Sequence, residues 1–165
     1  MTMITFALPT KRFGVCLVLT VLGVVLGSRA AWAGDEAAAG SRWLTSLPEA
    51  RELAKKENKL VLMDFTGSDW CPWCKKLDAE VFTKPAFLQY AKKNLVLVEV
   101  DFPASKPQST ALKEANKALQ KQYGVTGYPT LIAIKPDGSV VWKQDGYAEG
   151  GPSALIAKLE EAKSK

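Results

Sequence analysis

An α/β fold with a central mixed sheet and helices on both of its faces is what this 165-residue sequence predicts. Two apolar runs, Leu60 to Thr66 and Leu95 to Asp101, are nearly continuous, as in strands covered on both sides. A helix-patterned stretch lies between them, which makes the unit a parallel crossover. Thr130 to Lys135 and Ser139 to Gln144 then flank Pro136-Asp137-Gly138, a hairpin signal that adds an antiparallel pair.

The first 33 residues read as a secretory signal peptide. Lys11 and Arg12 precede the apolar run Phe13 to Gly27, and Ala31-Trp32-Ala33 supplies a small-x-small cleavage site. The run is shorter than the roughly 20 residues of a membrane span, which ranks a retained anchor behind cleavage near Ala33. Cys16 lies inside it with no Leu-Ala-Gly-type sequence ahead, and reads as a small hydrophobe discarded with the signal. Met3 offers an alternative start to Met1. Residues 34–42 read as a flexible leader, and residues 43–165 as one domain.

Within that domain, Ser46 with Glu49 three residues on forms a capping box. It opens a helix to about Asn58 whose apolar face holds Leu47, Ala50, Leu53 and Ala54. After the first strand, Gly67 to Trp70 form the turn that delivers Cys71, where the next helix begins. Pro85 either kinks that helix or starts a second segment reaching Lys93. Pro103 and Pro107 make Phe102 to Gln108 a loop. Ser109 or Thr110 starts an amphipathic helix to Tyr123, with Leu112, Ala115 and Leu119 on one face and Gly124 as its stop. The last helix opens around Gly151 and Pro152 and closes near Ala162.

The net charge of +5 belongs largely to the signal. Without Lys11, Arg12 and Arg29 the chain keeps 19 basic and 17 acidic residues, the lysines scattered, so nothing argues for nucleic acid as a partner. A single compact domain makes a monomer the default expectation.

After cleavage the only cysteines are Cys71 and Cys74, in Asp69-Trp70-Cys71-Pro72-Trp73-Cys74-Lys75-Lys76. At a helix start the Cys71 sulfur faces unpaired backbone N–H groups and the positive end of the helix dipole, both of which favour thiolate. Such a thiol falls from a pKa of about 8.5 into a range of about 3.5 to 7.5. Cys71 is therefore the expected nucleophile, and Cys74, further into the helix and more buried, the resolving thiol. Pro72 suits the first helical turn. Lys75 and Lys76 add weak local positive charge.

Two other readings of the pair stay open. A structural disulfide closing so short a loop removes little unfolded-state entropy. Half of a zinc site would need about four ligands in a chain with no histidine and no second cysteine pair.

Three features carry a resemblance. Trp70-Cys71-Pro72-Trp73-Cys74 follows an apolar strand, Val125-Thr126-Gly127-Tyr128-Pro129-Thr130 precedes the hairpin, and Asp64 lies in the strand leading to the cysteines. Together they resemble the thioredoxin-like family over roughly residues 43 to 163. The whole stretch from Thr66 to Phe82 is most similar to exported bacterial members and to the C-terminal domain of the transmembrane disulfide reductase.

The resemblance implies the thioredoxin fold, with a cis Pro129 packed on the disulfide and the backbone of Tyr128 pairing with an extended client. Asp64 matches the family's buried acid, which would accept the proton of Cys74. Trp70 and Trp73 would form an apolar platform around the sulfur. Pro-Trp between the cysteines and a turn one residue longer both depart from ordinary thioredoxin, and the loop from Phe102 exceeds the common core. The absence of a histidine between the cysteines favours a reductase or isomerase over an oxidase.

The expected protein is thus an exported thiol-disulfide oxidoreductase, periplasmic or secreted, with no cofactor and no metal. Its partners would be disulfide-bearing client proteins and a membrane electron donor. The competing class is a binding or assembly protein on the same fold, either a Cu(I) carrier through two thiolates or a docking module without turnover. Met63 as the one methionine left after cleavage and the missing histidine weigh against the carrier.

Overall fold

The computed structural model describes residues 42–164. The signal segment, Cys16, the cleavage site and the leader up to Ser41 lie outside the described residues. Five strands make one sheet in the order β1-β3-β2-β4-β5. They are β1 (Trp43–Leu44), β2 (Leu60–Thr66), β3 (Leu95–Asp101), β4 (Thr130–Ile134) and β5 (Val140–Asp145). β1, β3 and β2 run parallel, and β4 is antiparallel to both β2 and β5. The mixed sheet and its hairpin are those the sequence predicts. β1 is an addition, two residues long and too short to leave a periodic signal.

The helices are α1 (Leu47–Glu57), α2 (Pro72–Leu77), α3 (Pro85–Asn94), α4 (Thr110–Gln122) and α5 (Gly151–Lys163). The Ser46 side chain accepts the Glu49 N–H, as a cap should, and Asn58 closes α1 in the left-handed conformation. Between α2 and α3 the chain makes a π-helical turn, Asp78–Phe82, so Pro85 starts a new helix and does not kink the first. Pro85 has no N–H to donate, which suits a first helical position.

Alternation along each strand divides the core in two. Leu60, Leu62, Leu95, Leu97, Leu131 and Ala133 pack under α2, α3, α5 and the π-helical turn. Val61, Met63, Phe65, Val96, Val98, Val100, Ile132 and Ile134 pack under α1 and α4. Each fully buried Leu, Ile, Val or Phe contributes about 1.5–3 kcal/mol, so β2, buried along its whole length, is the anchor of the sheet. On α4 the expected face is only partly used. Leu119 packs against the core and Leu112 is half-buried, but Ala115 is exposed and Asn116 is the buried residue, donating to the Asp101 carbonyl at the end of β3. A hydrogen bond to a strand end outweighs the small area an alanine offers.

Candidate functional site

β2 ends at Thr66, and Gly67 to Trp70 turn the chain into α2, with the Cys71 N–H donating to the Gly67 carbonyl at 2.8 Å. Cys71 is the N-cap of α2, and its Sγ accepts the Cys74 N–H at 3.1 Å. The pair is closed as a disulfide with Cα atoms 5.3 Å apart. Cys74 was expected to be the more buried of the two. Both are nearly covered, at 3% and 4% exposure, because each sulfur turns towards the other. What separates them is surroundings: Cys71 faces backbone N–H groups at the helix start, whereas Cys74 lines a cavity with Asp64.

That cavity holds about 300 Å³ and is also lined by Glu99, Asp78, Lys75 and Lys106. Asp64 is 8% exposed, and its Oδ1 has no hydrogen-bond partner among the described residues. Burial, then the charges of Glu99, Asp78 and Asp101, push its carboxyl well above the ordinary range. Lys75, on the wall of the cavity, donates its ammonium to the Asp69 carbonyl at 2.8 Å.

Two aromatic groups flank the disulfide. On one side the Trp70 indole donates to the Phe102 carbonyl at 2.8 Å and meets Tyr128 edge-on, while Phe102 stacks on Tyr128. On the other, Trp73 stacks on Tyr147 with ring centroids 5.7 Å apart, and the Lys76 ammonium lies 4.9 Å from the Tyr147 ring. The Tyr147 hydroxyl donates to Glu80, which pushes its pKa up to about 12. Trp70 and Trp73 remain 48% and 55% exposed, a large apolar surface beside a redox centre.

Pro129 is cis and buried, and the carbonyl of Pro129 accepts the Gly146 N–H at 2.8 Å. The Thr130 hydroxyl donates to the Gly127 carbonyl and so ties the turn to the start of β4.

The loop after β3 is strapped to the same turn. The Asp69 carboxylate accepts the N–H groups of Ala104, Ser105 and Lys106 at 2.9, 2.7 and 3.0 Å, which holds its pKa down at about 2. Ser68 donates twice to the Asp101 carboxylate. Phe102, Tyr147, Asp69 and Glu99 are absent from the sequence-derived site. Phe102 and Tyr147 reach it across loops, Asp69 lies on the turn itself and acts by holding the loop after β3, and only pairing of β2 with β3 brings Glu99 to Asp64.

A thioredoxin-like domain model matches residues 47–163, from the first residue of α1 to the last of α5. The chain belongs to the thioredoxin-like family. Within that family, the disulfide bond reductase DsbH of Chlamydia pneumoniae is 37% identical over 126 residues, which span 76% of this chain and 75% of DsbH. A solved DsbH oxidoreductase superposes with a TM-score of 0.69 at 35% identity, covering 82% of this chain and 93% of that one. The reduced C-terminal domain of DsbD from Neisseria meningitidis gives a TM-score of 0.55 at 29% identity, covering 70% and 93%. This thioredoxin-like chain is a thiol-disulfide oxidoreductase.

Proposed function

We propose that the protein is exported and reduces or isomerises disulfides of client proteins, with Cys71 as nucleophile and Cys74 as resolving thiol. The observation that carries this is the placement of Cys71 as N-cap of α2 with its sulfur accepting the Cys74 N–H. A thiolate formed there keeps that hydrogen bond and the helix-start field, so it is stabilised against protonation. It attacks a client disulfide, one client sulfur leaves as thiolate, and a mixed disulfide with Cys71 remains. Cys74 gives its proton to Asp64 and attacks the Cys71 sulfur, releasing the second client thiolate and closing the enzyme disulfide. The client lies along Tyr128 and Pro129, between Trp70 on one side and Pro72 with Trp73 on the other.

The similarity to a disulfide bond reductase supports the reducing direction. In an oxidising compartment outside the cytoplasm, turnover then draws electrons from a membrane donor. The signal-like residues 1–33 support export to the periplasm or beyond, with a mature domain over residues 43–165.

The test is thiol trapping of the oxidised protein equilibrated at a series of potentials, together with turnover of a model disulfide client. A potential closer to about -270 mV than to about -120 mV is expected. Cys71→Ser is expected to lose turnover, and Cys74→Ser to accumulate the mixed disulfide. Stoichiometric Cu(I) binding without disulfide exchange, or retention of activity in Cys71→Ser, overturns the reading.

A further inference from the structure

Asp64 on β2 and Glu99 on β3 are register partners in parallel strands, so their side chains leave the same face of the sheet. Two residues earlier on each strand, Leu62 and Leu97 lie in the core under α2, α3 and α5, which places both carboxyls at the edge of an apolar layer. Both line the cavity that Cys74 also lines. The other charged groups facing the pair are Asp78 from the π-helical turn, Asp101 from the end of β3, Lys75 from α2 and Lys106 from the loop after β3.

Two carboxylates in one poorly hydrated site do not both ionise readily. Which one keeps the proton follows from their neighbours. Burial and then Asp101 raise the Glu99 carboxyl, but it is the less buried of the two and Lys106 favours its charged form; Asp64 is the more buried, and burial with the charges of Glu99, Asp78 and Asp101 raises it well above the ordinary range. Glu99 therefore ionises first, and its negative charge then opposes ionisation of Asp64.

We infer that Glu99 is a positioning residue for the redox reaction, its carboxylate keeping a proton on Asp64 while the disulfide is closed and making ionised Asp64 a stronger base once it is open. This rests on the thiol-disulfide cycle given above. In re-reduction, a thiolate of a donor dithiol attacks the Cys71 sulfur, the Cys71–Cys74 bond breaks, and its electron pair passes to Cys74. Cys74 takes the proton of Asp64. The donor's second thiolate then attacks the donor sulfur of the mixed disulfide, leaving an oxidised donor and Cys71 as thiolate. In the client step the proton returns: repulsion from Glu99 draws it from Cys74 to Asp64 as the Cys74 sulfur attacks Cys71. The oxidised and reduced enzyme thus differ in where one proton sits, with Glu99 setting the balance.

The experiment follows the Asp64 carboxyl carbon by NMR through a pH titration of the oxidised protein. Glu99→Gln, which keeps shape and removes charge, is expected to lower the proton affinity of Asp64 roughly tenfold, one unit in its midpoint. Glu99→Asp is expected to retain most of the parent affinity. The pH dependence of the reduction potential should shift its Asp64-linked bend in step with the midpoint. An unchanged Asp64 midpoint in Glu99→Gln overturns the inference, even if turnover falls, since a merely structural loss would slow turnover without moving the titration. Failure of the cysteine pair to exchange with any client strikes the proposed function instead, and the Asp64 midpoint still reports on Glu99.

Discussion

Replacing Asp64 by asparagine keeps the size of the side chain and removes its proton, which turns its burial into a measurable slope. In the folded protein the carboxyl is raised well above its ordinary value, first by burial and then by the charges of Glu99, Asp78 and Asp101. In the unfolded chain it titrates near its ordinary pKa of about 3.9. Between those two values the folded state binds one more proton than the unfolded state, so stability falls as pH rises. One proton corresponds to about 1.4 kcal/mol per pH unit. Below about pH 4 the acid is protonated in both states and costs nothing through charge. Above the folded-state value the full cost is present and the curve flattens. Urea denaturation of the oxidised parent and of Asp64→Asn, at half-unit steps from pH 4 to 9, isolates Asp64 together with the acids coupled to it, Glu99 foremost, because titrations elsewhere in the chain cancel in the difference. The stability of Asp64→Asn relative to the parent should grow with pH at about 1.4 kcal/mol per unit and then level off. A difference that stays flat across the range would show that Asp64 is ionised in the fold at all these pH values, and the reasoning about its burial would fail.

Two further perturbations probe the walls of the site. A methyl group at Gly67 runs into the indole of Trp70, so Gly67→Ala should swing that ring off the Phe102 carbonyl at a cost of about 1 kcal/mol, seen as a red-shifted tryptophan emission and slower client turnover; unchanged emission would refute the contact. Asp69→Ala leaves the N–H groups of Ala104, Ser105 and Lys106 without their acceptor, and their hydrogen exchange should quicken roughly tenfold or more while core amides stay protected. Because the Asp69 carboxyl is held down at about 2, the parent strap should persist through mildly acidic pH and loosen only as pH falls towards 2. Loop amides that exchange alike in both proteins would refute the strap.

The parts of this fold that could be read from the chain are those in which local chemistry and tertiary structure agree. The Ser46 cap, the end of α1 near Asn58, the nearly continuous apolar run of β2 and the hairpin at Gly138 each carry their own signal, and each is where the residues place it. Cys71 and Cys74 were legible for the same reason, since their spacing is set within one helical turn. Other features depend on distant partners. Asn116 is buried on α4 because the end of β3 needs a donor, and no periodicity reports that. Tyr147 reaches the site because Trp73 and Glu80 meet it there, and Phe102 because Trp70 and Tyr128 do. Glu99 gains its meaning only from register, since β2 could pair with β3 one residue out of step and leave Asp64 facing an apolar neighbour.

The strap between Asp69 and the loop after β3 is made through the main chain of Ala104, Ser105 and Lys106, and the side chains of those three residues are exposed. Any residue other than proline offers the same N–H. The identity of the Ala104 and Ser105 side chains is therefore free to drift while the loop keeps its place beside the cysteines, whereas Lys106 also lines the Asp64 cavity. A library randomised at Ala104 and Ser105 would vary the surface presented next to Trp70 and leave the sulfur chemistry as it is, which makes this loop the natural handle for redirecting the protein towards a chosen client.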